Sequence, residues 1–104
     1  MATRILPAGL KAYDYEAVTV SNASIGLTAS KVVPTSGKAP LECLITVEDE
    51  TIRFRLDGTA PTTTEGHKAI DGDSISLTGQ NMMTDFRAIR DDAADATLRV
   101  TYLA

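Results

Sequence analysis

Strict two-residue alternation in short runs constrains this chain more than any other feature. From Thr51 to Asp57, Ile52, Phe54 and Leu56 fall on one side and Arg53 and Arg55 on the other. Near the C-terminus, Leu98, Val100 and Tyr102 alternate with Thr97, Arg99 and Thr101. Successive strand side chains point to opposite faces, so such segments place one face on a core and the other in water. Leu41, Cys43, Ile45 and Val47 share a side, with Leu44 interrupting the other, which predicts a more deeply buried strand. Ile75 and Leu77 mark a shorter strand between Asp73 and Thr78. The segments Tyr13 to Val20 and Ile25 to Ala29 are weaker candidates, rich in Thr, Val and Tyr.

The punctuation between these runs suits an all-β chain. Glu48, Asp49, Glu50 and Thr51 form a short polar link between Val47 and Ile52, and the spacing predicts a hairpin there. Asp57-Gly58 and Asp71-Gly72-Asp73 place glycine where turns need positive φ, and Ser36-Gly37-Lys38 precedes Pro40. Thr59 to Ala69, with Pro61 and four threonines, has the composition of a longer loop. About six or seven short strands spaced by such turns predict a small antiparallel β-sandwich or jelly roll. At 104 residues the chain holds one domain, assigned to 13–104. Residues 1–12, with Pro7 and Gly9, have the composition of an extended N-terminal arm.

One segment is ambiguous. Phe86, Ile89, Ala93 and Ala96 recur at helical spacing, with Met82 one turn earlier, which gives a helix from about Asn81 to Ala94. The flanking strands favour a strand from Met82 to Arg90, one arm of a hairpin that turns through Asp91, Asp92 and Asp95. The strand is the reading adopted here.

Composition excludes several functions. Fourteen acidic against ten basic residues leave a net charge of −4, which argues against a nucleic-acid binder. No apolar run approaches the ~20 residues that span a bilayer, and Ile5 to Leu10 is too short and broken for a signal-peptide core. The expected setting is therefore cytosolic, without a membrane partner. Cys43 is the single cysteine, so no internal disulfide staples the fold. Cys43 and His67 are the only thiol and imidazole. A nucleophile pair would need them within hydrogen-bond reach, whereas Cys43 lies in an apolar run and His67 in a polar one. Asp71-Gly72-Asp73 opens like a calcium loop, but the twelfth position, where a glutamate is required, is Met82. Asp91, Asp92 and Asp95 suit a turn as well as a cation. Gly58, Gly66 and Gly72 are followed by no Gly-Lys-Ser or Gly-Lys-Thr. The expectation is no catalytic residue, no metal and no cofactor.

Arginines supply the candidate contact residues. Arg53, Arg55 and Arg99 would form a basic stripe on one outward sheet face if their strands are neighbours, and Arg87 could extend it. Arginine is enriched at interfaces and makes planar paired bonds to carboxylates. Arg4, on the N-terminal arm, is a further candidate contact residue.

Three stretches carry a family likeness. They are Ile52-Arg53-Phe54-Arg55-Leu56-Asp57-Gly58 with Thr59-Ala60-Pro61-Thr62; Gly66-His67 leading to Gly72-Asp73-Ser74-Ile75; and Asp85-Phe86-Arg87-Ala88-Ile89-Arg90 with Ala96-Thr97-Leu98-Arg99-Val100-Thr101-Tyr102. Together, with a weaker match at Ala17 to Thr28, they resemble small virion structural proteins of tailed bacteriophages, of the capsid decoration or cement type. The resemblance implies a compact β-sandwich on a capsid, neck or tail, made in the host cytoplasm, and a strand at Phe86. It brings no catalytic residues. It further implies a major capsid protein as partner and self-association, a homotrimer being favoured. Two alternatives stand beside it: a neck or tail component, and a carbohydrate-binding sandwich. The latter usually needs exposed aromatic platforms, and this chain has no tryptophan.

Overall fold

The computed structural model describes residues 9–91 and 93–104. Its elements run β1 (Ala12–Val20), α1 (Ala29–Val32), β2 (Glu42–Glu48), β3 (Ile52–Arg55), β4 (His67–Ala69), β5 (Ser74–Thr78), α2 (Gln80–Asp85), β6 (Arg87–Arg90) and β7 (Ala96–Leu103). Two antiparallel sheets pack face to face, one ordered β1-β7-β2-β5 and the other β4-β3-β6. This is the all-β sandwich that the alternation implies. Residues 1–8, the bulk of the expected arm, lie outside the described residues. Lys11 already belongs to the sheet, exchanging two backbone hydrogen bonds of 3.0 Å with Ala104.

Alternation does what the sequence pattern requires in the larger sheet. Val18 and Val20 of β1, Cys43, Ile45 and Val47 of β2, Leu77 of β5, and Ala96, Leu98, Val100 and Tyr102 of β7 all face inward and are buried. They meet Ile52, Ala69 and Ala88 from the smaller sheet, with Phe86, Met83 and Val32 closing one end. β1 is an edge strand, and two features blunt its edge. A bulge shifts the register between Ala12 and Asp14. Asp14 and Glu16 are charges on the inward side of the strand, and such charges oppose edge-to-edge association. Asp14 is bonded to Lys31 at 3.0 Å. Glu16 accepts from Tyr102 Oη at 2.5 Å and from the hydroxyl and backbone N–H of Thr28.

Several expectations are corrected. The link from Val47 to Ile52 is not a hairpin: β2 and β3 belong to different sheets, and Glu48–Thr51 carries the chain across. Asp49 adopts φ 79° there, a left-handed conformation that aspartate tolerates better than most side chains. The residues from Met82 to Arg90 are neither one helix nor one strand. A short helix, α2, ends at Asp85; Phe86 is extended (φ −61°, ψ 129°), and β6 follows. The Phe86/Ile89 spacing loses to two sets of ladder bonds. Ala88 exchanges backbone bonds of 2.8 and 2.9 Å with Ile25 on one side, and β6 pairs with β3 on the other. Because β6 pairs with β3 and not β7, the turn through Asp91 and Asp95 also crosses between sheets.

Leu41, placed inward by parity, is 57% exposed because it precedes β2. Leu56 lies beyond the end of β3, and both it and Phe54 are half-buried against the core instead of inside it. The loop expected over Thr59 to Ala69 contains a three-residue strand, β4. Gly66 just before it has φ 133°, and a Cβ there would stand 3.0 Å from the Phe54 carbonyl oxygen, so only glycine lets β4 approach β3.

Candidate interaction surface

The smaller sheet builds its outer face from alternation and register. In β3 the inward residues are Ile52 and Phe54, which leaves Arg53 and Arg55 outward. Arg53 pairs in register with Lys68 of β4 and with Ile89 of β6, and Arg55 pairs with Arg87. Four cations therefore share one small face in a chain of net charge −4. Arg99 does not join them. It lies on β7 in the other sheet, donating from Nε to Glu48 at 2.9 Å and from Nη1 to Tyr15 Oη at 3.1 Å. Those two bonds, the Tyr15 contact foremost, push its guanidinium pKa further up. The predicted stripe is thus corrected: Arg53 and Arg55 are joined by Arg87 and Lys68, and Arg99 faces elsewhere. Arg4 lies outside the described residues.

The four cations differ in how far they are neutralised. Arg53 is half-buried; its Nη1 donates to the Gly66 carbonyl at 3.2 Å, and its Nε stands 3.5 Å from Asp91. Asp91 also lies 3.9 Å from Lys68 Nζ. Arg55 forms a two-pronged pair with Asp57 at 3.1 and 2.5 Å. That pairing holds the Asp57 carboxyl below the usual carboxylate range. Among the described ion pairs none uses Arg87, which is exposed. Among the described residues the face carries four positive charges, three of them paired with Asp57 or Asp91, and Glu65 adds a carboxylate near Arg55. It is an anion-facing patch whose free cations are Arg87 and the outer part of Lys68. Lys68 escapes sequence reasoning because it sits in the run that looks like a loop; the alternation His67-Lys68-Ala69 is its only signal.

Beside this face lies an open cleft of about 660 Å³ lined by Arg55, Leu56, Asp57, Glu65, Gly66 and His67. The His67 ring packs on Phe54 with centroids 5.4 Å apart. His67 is exposed on β4 whereas Cys43 is fully buried in β2, and no described hydrogen bond joins them. The Cys43 thiol is fully buried in β2, and burial pushes its pKa up to about 12. A folded sample should therefore react slowly with a thiol reagent at pH 8, and the rate should rise to that of a free thiol in urea. Fast labelling without urea would contradict this burial.

The described aspartates of the two clusters are hydrogen-bonded or ion-paired, and Asp92 lies outside the described residues. Asp71 accepts from the Asp49 backbone N–H at 3.1 Å, Asp73 from that of Ile70 at 2.9 Å, and Asp95 pairs with Arg90. Among the described residues no group of three or more His, Cys, Asp or Glu side chains is arranged to hold a metal ion. No helix of the described residues is long and apolar enough to cross a membrane. The chain matches no protein-family model, no curated protein and no solved structure.

Proposed function

We propose that this protein is a phage virion structural component, a decoration protein that reinforces the capsid by docking on the major capsid protein and on copies of itself. The observation that carries the reading is the cationic outer face of β4-β3-β6 on an otherwise acidic sandwich. Long-range repulsion keeps such a molecule from non-specific anions, while the patch meets a carboxylate-bearing protein surface in one orientation. A rigid sheet is a suitable base for it, because backbone pairing fixes the spacing from which the side chains reach a partner. The sequence likeness to small virion proteins of tailed phages points the same way.

The test is attachment to purified particles. Copies by the hundred per head are expected, released progressively by salt because the contact is charge-driven. Arg55→Glu with Lys68→Glu should lower occupancy at a fixed protein concentration by at least about tenfold while leaving the melting curve in place. About six or twelve copies would move the protein to the neck or tail, where closed rings have such symmetry. Absence from particles would discard the virion reading.

A further inference from the structure

Two exposed apolar features lie at opposite ends of β5, one of them bordering Arg87 of the proposed docking face. Before the strand, the turn Ile70-Asp71-Gly72-Asp73 projects Ile70, which is 52% exposed. That turn is held rigidly: the Ile70 N–H donates to Asp73 Oδ2 at 2.9 Å, and the Asp73 N–H donates to the Ile70 carbonyl at 2.9 Å. An exposed branched apolar side chain is thus presented with carboxylates beside it in the same turn, those of Asp71 and Asp73. After the strand, α2 packs against α1, with Gln80 Nε2 donating to the Val32 carbonyl at 2.8 Å. Between the two helices opens an apolar cleft of about 290 Å³, lined chiefly by Leu27, Ala29, Val32, Val33 and Met83, with Arg87 at its margin. Val33, on its rim, is 55% exposed.

A lone exposed isoleucine needs no explanation. The match between the two features does. One is an apolar projection flanked by negative charge, the other an apolar recess flanked by an arginine that no described ion pair uses. They cannot meet within one molecule, because the five residues of β5 separate them by roughly 16 Å. We infer that they meet between molecules: Ile70 of one copy seats in the α1–α2 cleft of another, with Asp71 facing Arg87. A projection and a recess at different places on the surface make a head-to-tail contact, which continues from copy to copy and closes when the rotation allows. The inference deepens the proposed self-association and rests on that reading for its purpose. A single apolar knob with a charged rim is a small interface, so the contact is weak in free solution. It strengthens on any surface that holds copies close together.

Sedimentation velocity of the purified protein, from micromolar to about 1 mM, tests this without any capsid. The wild type should associate reversibly as concentration rises, and added salt should weaken the association. Ile70→Asp removes the knob and Val33→Asp blocks the cleft; both positions are exposed, and unchanged thermal melts will show that each variant folds. Each alone should weaken association at least about tenfold. Mixed in equal amounts, the two should form a heterodimer and nothing larger, because the intact knob of the Val33→Asp chain can enter the intact cleft of the Ile70→Asp chain. A wild type that stays monomeric throughout, variants that associate like the wild type, or a mixture that stays monomeric would each overturn the contact. Virion copy number is read on particles, so either proposal can fail while the other stands.

Discussion

Phe86→Ala should cost about 3–5 kcal/mol of stability, the usual toll for deleting a fully buried aromatic side chain. Phe86 has no exposed surface and stands where α2 ends and β6 begins. Its ring lies 5.8 Å from that of Phe54, so it joins the helical end of the sandwich to the smaller sheet. Removing it leaves a cavity that the paired strands on either side cannot collapse into. A domain of this size has about 5–15 kcal/mol in total, and the melting temperature should fall by roughly 15–30 °C. Phe54→Ala should cost less, about 2 kcal/mol, because Phe54 is only half-buried and its outer side rests on the exposed His67. Thermal melts of the two variants decide the matter. A larger loss for Phe54 would mean that β3 is the centre of the core and that Phe86 is peripheral.

That contrast also shows how far the fold was legible in the sequence. Alternation in β2, β3 and β7 is a local property, and it places Cys43, Ile45, Val47, Ile52, Leu98, Val100 and Tyr102 inward, where each is buried. Which strands are neighbours is not local. A four-residue link such as Glu48–Thr51 looks the same whether it closes a hairpin or crosses between sheets, so the expected hairpin after Val47 became a crossover. The same gap misplaced Arg99. Parity put it on an outward face correctly, but only the strand order shows that this face belongs to the other sheet. Arg53 and Arg55 were found because two arginines alternate with apolar residues in one strand. Arg87 was found in outline, and Lys68 was hidden in a strand of three residues, too short for any period to register. The α1–α2 cleft left no trace, since both helices are too short to carry a helical pattern of their own.

The second large effect is a loss of stability in alkali, and two buried groups in the larger sheet cause it. At pH 7 the Cys43 thiol and the Tyr102 phenol are protonated in both folded and unfolded chains and contribute no pH dependence. Cys43 rises from an ordinary 9.0 to about 12 on folding, because burial penalises the thiolate. Tyr102 rises above its ordinary 10.0, through burial first and then through its hydrogen bond to Glu16. Above pH 9 the unfolded thiol gives up its proton while the folded one keeps it, so the folded state binds more protons and its stability falls as pH rises. One such group costs about 1.4 kcal/mol per pH unit, and Tyr102 adds a second slope above pH 10. From pH 9 to 11 the sum is about 4 kcal/mol, of the same order as the loss expected from Phe86→Ala. Urea unfolding at pH 8, 9, 10 and 11 measures it. The wild type should be level from 8 to 9 and then fall with a slope that steepens past 10. Cys43→Ala will be less stable at pH 8, since it opens a small cavity, but its curve should stay flat to pH 10. Tyr102→Phe should keep the Cys43 slope and lose the steepening. A Cys43→Ala curve that falls between pH 9 and 10 as steeply as the wild type would assign the alkaline loss to surface charge and remove Cys43 from the account.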